Sequence, residues 1–391
     1  MRLHQEILCT IGAAQFCIVD KSEFRALRPW RPYVFLFLSS FFREKALVWR
    51  SQRRRRGHMT DFRAIRIDND RDGQHADYVI MCEQDLMQGD VDVDVAFSAI
   101  NYKDGLAVTG KGPVVRRFPM IPGVDLAGRV TRSAHPDFAP GDIVVATACG
   151  LGEAHYGGFA EKARLPGDWL AKLPPPLTPA RAMAVGTAGL TAMFCVLALE
   201  RHGARPEDGL AVVTGATGGV GSFAVALLAK AGWRVAAVTG HAREDAYLKG
   251  LGASEVIGRD ELSAPGKPLQ QQRFAVGVDT VGGVTLANLL AQTRFDGAVA
   301  ACGNVAGMAL PATVAPFILR GVSLLGVESV RPRIGLRRTA WARIARDLDS
   351  CALDAMSEII SFDAALDRAR SIVGGKIRGR VVIDMGLHLP L

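Results

Sequence analysis

The stretch Val213-Thr-Gly-Ala-Thr-Gly-Gly-Val-Gly-Ser222 decides the fold. It follows a continuous apolar run at 210–214 and opens an apolar segment at 219–231 that suits a helix. Strand, glycine loop and helix in that order form the phosphate-binding turn of a dinucleotide fold. The glycines allow a tight turn and a close backbone approach to a pyrophosphate. The phosphate then meets the free N–H groups of the helix N-terminus. Thr217, Gly218, Gly219, Val220 and Gly221 are the candidate contacts. A glycine-rich turn that binds nothing is the competing reading, and its context weighs against it.

Strands at 234–238, 255–257, 275–279, 297–301 and 323–327 alternate with helical stretches. Continuous apolar strands with helical crossovers predict a parallel sheet covered on both faces, a doubly wound α/β domain. Upstream, 59 to about 180 is strand-rich. Val91-Asp-Val-Asp-Val-Ala-Phe97 alternates with period two, and short strands are expected at 62–67, 125–130 and 143–147. Pro174-Pro-Pro176 marks a boundary before a helix over 179–200. Helices at 339–348 and 362–373 precede a closing strand at 379–385, expected to return to the first domain. The expected division is an extension at 1–58, a strand-rich domain at 59–184 completed by 330–391, and a dinucleotide domain at 185–329.

The end of the second strand of a dinucleotide fold selects the cofactor. A carboxylate there accepts hydrogen bonds from the ribose hydroxyls of NAD. This chain reads Val238-Thr-Gly-His-Ala-Arg243 instead. No carboxylate repels a 2′-phosphate, and Thr239, His241 and Arg243 can bond to one. NADPH is expected over NADH.

The net charge of +8 is confined to one end. Residues 1–58 carry 12 basic and four acidic side chains, and 35 of each remain in 59–391. A neutral body weighs against nucleic-acid binding. The apolar run at 33–38 is too short to span a bilayer, and Arg53 to Arg56 follow it. No membrane segment or secretory signal is read there, and 1–58 is expected to be dispensable. The seven cysteines include no C-x-x-C pair, so a reducing, cytoplasmic setting is the expectation.

The glycine pattern also fits short-chain dehydrogenases, which need a Tyr with Lys four residues on. None of the five tyrosines (33, 78, 102, 156 and 247) has one. Three further stretches then matter: Asn101-Tyr-Lys-Asp-Gly-Leu-Ala-Val-Thr-Gly-Lys-Gly-Pro113, Arg117-Phe-Pro-Met-Ile-Pro-Gly-Val-Asp-Leu-Ala-Gly128 and Gly186-Thr-Ala-Gly-Leu-Thr-Ala-Met193. With Asp279-Thr-Val-Gly-Gly283, Ala300-Ala-Cys-Gly303 and Pro316-Phe-Ile-Leu-Arg-Gly321, they resemble the acrylyl-CoA reductase branch of the zinc-free quinone-oxidoreductase-like proteins, medium-chain dehydrogenases/reductases. The resemblance spans about 59–386.

It implies a GroES-like catalytic domain beside a Rossmann domain, usually as a homodimer, and hydride transfer from NADPH to the β-carbon of acrylyl-CoA. It implies a polar catalytic cluster of Asn101, Tyr102, Asp104, Asp125 and Arg380. Asn101 and Tyr102 would contact substrate or nicotinamide, and Asp104 could donate a proton; Asp125 with Arg380 could equally be a buried structural pair. Thr187, Thr191, Cys302 and Gly303 would line the cofactor. Zinc is not expected: Val124-Asp125 replaces the His-Glu pair of zinc-dependent relatives, and only Asp125 with His135 or His155 could supply ligands. Lys111, Arg116 and Arg117 are candidates for the CoA phosphates, with Arg331, Arg333, Arg337 and Arg338 as a second patch. A quinone or enone reductase, or a dinucleotide-binding structural or sensing protein, remains open.

Overall fold

The computed structural model describes residues 8–11, 14–17, 61–71, 73–348, 350–375 and 377–387. The chain falls into two units, residues 1–61 and 62–391. In the first, β1 (Leu8–Ile11) and β2 (Ala14–Cys17) form an antiparallel hairpin. The apolar run at 33–38 and the Arg53–Arg56 cluster lie outside the described residues.

The second unit begins with a hairpin of β3 (Asp61–Asp70) and β4 (Gly73–Cys82). Then come β5 (Val91–Ile100), helix α1 (Tyr102–Thr109), β6 (Asp125–Ser133), β7 (Ile143–Thr147), β8 (Lys162–Leu165) and β9 (Leu170–Lys172). The long helix α2 (Pro179–His202) leads into alternating strands and helices. These are β10 (Leu210–Thr214), α3 (Gly219–Lys230), β11 (Arg234–Thr239), α4 (Asp245–Gly250), β12 (Glu255–Gly258) and β13 (Phe274–Asp279). They continue as α5 (Gly283–Gln292), β14 (Thr293–Ala301), α6 (Ala315–Arg320) and β15 (Ser323–Gly326). The chain closes with α7 (Ile334–Asp347), α8 (Ser350–Ala355), β16 (Ser357–Ser361), α9 (Ala365–Ile372) and β17 (Arg380–Asp384).

Strands β12-β11-β10-β13-β14-β15 make one parallel sheet. The order reverses between β10 and β13, and that switch point is where a doubly wound sheet binds its ligand. β10 and β13 are the central strands, and Ala211, Val212, Val213, Val276 and Val278 are buried in them. The second sheet runs β16-β17-β5-β6-β7-β9, with β8 also on β5. Its strand β17 pairs antiparallel with β5, so the closing strand does return to the first sheet. β16 was not visible in the sequence because it is a polar, mostly exposed edge strand without a buried apolar face.

Helix α2 packs against strands of both sheets, which explains why it is apolar nearly all round. It is long and apolar enough to cross a membrane, but 89% of its apolar window is buried inside the protein. It is not one continuous helix. Gly186 takes φ 47° and ψ −156°, which breaks the helical run. A side chain there would meet Asp125 Oδ2 at 2.5 Å and Arg380 Nη2 at 2.8 Å. Both the backbone conformation and the close approach require glycine. Gly186→Ala should therefore destabilise the protein by about 2–4 kcal/mol, measured by urea unfolding. A loss below about 0.5 kcal/mol, the scale of ordinary surface substitutions, would contradict the role given to this break.

Candidate active site

The break in α2 creates a fresh helix N-terminus at Thr187, and a carboxylate caps it. The Thr187 backbone N–H donates to Asp125 Oδ1 and Oδ2 at 3.0 and 2.9 Å, and its hydroxyl donates to Oδ1 at 2.5 Å. A negative charge at a helix N-terminus satisfies an orphan N–H and opposes the helix dipole favourably. Thr191, one turn on, returns its hydroxyl to the Thr187 carbonyl at 2.7 Å.

Asp125 is fully buried at the start of β6. Its Oδ2 also accepts from Asn101 Nδ2 at 2.8 Å and lies 3.5 Å from Arg380 Nη2. Arg380 Nη1 in turn donates to Asn101 Oδ1 at 3.0 Å and to the Ile100 carbonyl at 3.2 Å, while its Nε donates to the Ala184 carbonyl at 3.0 Å. Three side chains, Asn101, Asp125 and Arg380, thus close a ring. Burial lowers the Arg380 pKa from its ordinary value, and the nearby Asp125 charge opposes that shift. Arg380 Nη2 makes no hydrogen bond.

The ring settles where each expected site residue points. Both ends of the Asn101 amide are spent inside it. The sequence expectation sets Asn101 against substrate or nicotinamide; motif spacing gives no sign of this partner 279 residues away. Asp104 is also internal. Its Oδ1 accepts from the N–H groups of Gly123 and Val124 at 3.1 and 3.0 Å, and its Oδ2 accepts from that of Asn101 at 2.8 Å. Burial, helped by the nearby Asp125 charge, pushes this carboxyl up to about 7 against the hydrogen bonds from Asn101 and Val124. With both oxygens committed to backbone, Asp104 clips α1 to the turn before β6. Tyr102, the first residue of α1, is 41% exposed and is the member of the cluster that faces outward.

The glycine loop lies against the same ring. A Cβ on Gly219 would meet Arg380 Cδ at 3.1 Å and Ala188 Cβ at 3.3 Å. Gly379, just before Arg380, donates its N–H to the Thr217 carbonyl at 3.1 Å. Two glycines carve the phosphate turn. A Cβ on Gly215 (φ 60°) would lie 2.3 Å from Thr280 Oγ1, and one on Gly221 would lie 2.2 Å from the Gly215 carbonyl oxygen. Gly218 caps α3, and Val220 packs on the core beneath. The free N–H groups of the first turn of α3 are then available to a pyrophosphate.

At the end of β11, Thr217 Oγ1 lies 3.3 Å from Thr239 Oγ1, which accepts the His241 N–H at 3.1 Å. His241 and Arg243 are exposed. Arg259, which sequence reasoning missed, sits here too: its backbone N–H donates to the Thr239 carbonyl at 2.8 Å. Across the sheet, Cys302 donates its N–H to the Asp279 carbonyl at 2.9 Å. Gly303 is pressed on Thr280, where a Cβ would lie 2.1 Å from the carbonyl oxygen. Thr217 thus follows β10 and Thr239 ends β11, while Cys302 and Gly303 follow β14 against the end of β13, on the two sides of the switch point.

Of the basic candidates, Lys111, Arg116 and Arg117 are exposed, and Arg116 reaches Glu153 at 3.8 Å. Arg337 does not belong to the second patch. It is 4% exposed and donates to the Thr147 carbonyl and hydroxyl at 2.6 and 2.8 Å. The sequence groups it with adjacent Arg338, but successive helix residues point in different directions, and α7 turns Arg337 into the protein.

Among the described residues no zinc donor set is assembled. The oxygens of Asp125 are filled by donors. His155 places Nδ1 3.2 Å from the Tyr156 carbonyl and Nε2 3.1 Å from that of Gln88. His135 faces Asp168 at 3.4 Å. Among the described residues no group of three or more His, Cys, Asp or Glu could hold a metal, and catalytic zinc takes about three protein ligands.

The ring makes a stability prediction. Asp125→Ala leaves Arg380 buried without its counter-charge and Thr187 uncapped, and should cost about 3–5 kcal/mol. The double variant Asp125→Leu/Arg380→Met should recover part of that loss, since removing both charges is cheaper than orphaning one. Simple additivity of the two single losses in urea unfolding would contradict the ring.

Comparison with known proteins agrees with this geometry. Residues 87–175 match the alcohol dehydrogenase GroES-like domain, and 219–346 match the zinc-binding dehydrogenase family. The probable acrylyl-CoA reductase AcuI of Escherichia coli K12 is 51% identical over 303 residues, 78% of this chain and 93% of that protein. Acrylyl-CoA reductase AcuI of Ruegeria pomeroyi is 45% identical over 327 residues, 83% of this chain and 99% of that protein. The crystal structure of the YhdH oxidoreductase from Salmonella enterica in complex with NADP superimposes with a TM-score of 0.81 at 48% identity, over 83% of this chain and 99% of that one. This chain belongs to the acrylyl-CoA reductase branch of the medium-chain dehydrogenases/reductases.

Proposed function

We propose that the protein is an NADPH-dependent reductase that converts acrylyl-CoA to propanoyl-CoA without a metal ion. The observation that carries the reading is the Asn101–Asp125–Arg380 ring. It ties the N-terminus of α1, where Tyr102 stands open, to the glycine loop of the dinucleotide sheet. The relatives named as acrylyl-CoA reductases supply the substrate.

The residues fit NADPH. Gly215 and Gly221 let the loop close tightly on Thr280 and on itself, the first turn of α3 supplies N–H donors for the pyrophosphate, and His241 and Arg243 stand where a 2′-phosphate would lie. Bound there, NADPH supplies the hydride. The hydride adds to the β-carbon of the substrate, the electron pair moves toward the thioester oxygen, and the α-carbon then takes a proton. The protein lowers this barrier by placing donors where the negative charge grows and by holding the two reactants in one geometry. Tyr102 is the donor of the cluster not consumed by the scaffold, and we assign it to the thioester oxygen. Asn101, Asp104, Asp125 and Arg380 act as positioning residues behind it. The donor set does not suit zinc, so no step passes through a metal. Lys111, Arg116 and Arg117 are the exposed cations we assign to the CoA phosphates. The 59–184 and 185–329 segments divide these tasks between substrate and cofactor.

The reading predicts NADPH oxidation with acrylyl-CoA well above that with crotonyl-CoA or a simple quinone, followed by loss of NADPH absorbance. Quinone turnover without acrylyl-CoA turnover would instead favour the quinone-reductase reading.

We also propose that the protein works as a homodimer. β15 is one of the two edge strands of the parallel sheet, β12 being the other, among the described strands. The helix before it exposes Ile318 and Leu319, with Val314 exposed just ahead of that helix. An apolar patch beside an open sheet edge suits a second copy of the same surface. Ile318→Asp should shift the mass measured by light scattering from two chains to one. A wild-type protein of one chain's mass would contradict the proposal.

A further inference from the structure

Three of the four residues at the head of α1 are tied down by their side chains. Asn101 sits in the buried ring, and Asp104 holds the N–H groups of Gly123 and Val124. Lys103 Nζ donates to Glu153 Oε1 at 2.8 Å. Tyr102, between them, stands open. The first two ties belong to the polar cluster already described; the third does not.

Glu153 lies in a turn that its main chain holds closed. The N–H groups of Glu153, Ala154 and His155 converge on the Gly150 carbonyl at 3.2, 3.0 and 3.2 Å, and the Glu153 carbonyl accepts the Arg116 N–H at 2.8 Å. The turn is packed on the segment that Asp104 grips. A Cβ on Gly152 would lie 3.1 Å from the Gly123 nitrogen, and Gly158 donates its N–H to the Gly123 carbonyl at 2.7 Å. None of this needs the Glu153 side chain. Its carboxylate is nevertheless only 9% exposed, a costly place for an unpaired anion. Among the described residues its charge is met by side chains, Lys103 at 2.8 Å and Arg116 at 3.8 Å. Asp104 and Asp125 differ, because both accept from backbone N–H groups.

We propose that Glu153 is a positioning residue for the reduction: through Lys103 it closes a frame around Tyr102 and holds the phenol in place for the substrate. This rests on the role given to Tyr102 above. The frame runs from α1 through Asp104 to the turn at 123–124, on to the turn at 150–155, and back to α1 through the Glu153–Lys103 pair. Helix α1 has eight residues, too few to keep a geometry unaided, so each external tie matters. Small misplacements of a reacting group lower the rate steeply.

The test measures kcat and KM for acrylyl-CoA and for NADPH in wild type, Glu153→Ala, Glu153→Gln, Lys103→Met, the double variant Glu153→Ala/Lys103→Met, and Tyr102→Phe. Glu153→Ala should lower kcat by about tenfold, the cost of a sub-ångström misplacement. Glu153→Gln keeps an acceptor for Lys103 and should recover part of that loss, although both variants remove the same charge. KM for NADPH should not change. KM for acrylyl-CoA should not rise, because either variant makes the face carrying Arg116 more positive. Lys103→Met should lose kcat to a similar extent, and the double variant should lose no more than either single one. Acrylyl-N-acetylcysteamine, a thioester without phosphates, should show the same fall in kcat.

Equal losses in the Ala and Gln variants, additive losses in the double variant, or a loss confined to acrylyl-CoA would overturn the inference. So would a lower KM for acrylyl-CoA with kcat intact, the mark of a carboxylate that only repels the substrate. The two readings fail separately. A Tyr102→Phe enzyme with full kcat sinks the role of Tyr102, whereas a Tyr102→Phe enzyme that loses kcat and a Glu153→Ala enzyme that keeps it sink only this one.

Discussion

The Asp125 carboxylate is the point on which the site depends. Fully buried, it would be costly without compensation. The chain compensates it from three directions: the Thr187 N–H and hydroxyl, the Asn101 amide and the Arg380 guanidinium. Each partner belongs to a different part of the fold. Thr187 opens the second half of α2, Asn101 precedes α1, and Arg380 begins β17. A single anion therefore fixes where three elements meet.

Several glycines follow from that meeting. Gly186 breaks α2 so that Thr187 can reach the carboxylate, and a side chain on Gly219 would crowd the stem of Arg380, which α3 lies against. The result is a rigid wall behind the position assigned to the reacting groups. Its polar atoms are largely satisfied by one another, so they can hold geometry without competing for substrate. Tyr102 stands at the edge of this wall rather than inside it.

The parallel sheet was legible because its strands are buried on both faces and so read as unbroken apolar runs. The 210–214 and 143–147 strands emerge with the bounds read from sequence. The cofactor turn was legible because its glycines sit between such a strand and a helix. The break at Gly186 was hidden, since Ala184, Val185 and Ala188 on either side continue a helical apolar pattern. The cluster residues could be named from their resemblance to a family, but their division of labour could not. Whether an amide faces substrate or a buried arginine depends on contacts across almost 300 residues, and spacing carries no trace of them. Arg259 was missed for a related reason: only the pairing of β12 with β11 brings it beside Thr239.

The claim at the centre of this account is that the buried polar ring positions while Tyr102 touches. A crystal structure of the complex with NADP and propanoyl-CoA tests it most directly. The account predicts Tyr102 Oη within hydrogen-bond distance of the thioester oxygen, about 2.7–3.2 Å, with Asp125 still hydrogen-bonded to Thr187 and Asn101, ion-paired with Arg380, and touching neither ligand. A thioester oxygen held by Asn101, or an Asp125 carboxylate in contact with the acyl group, would contradict it.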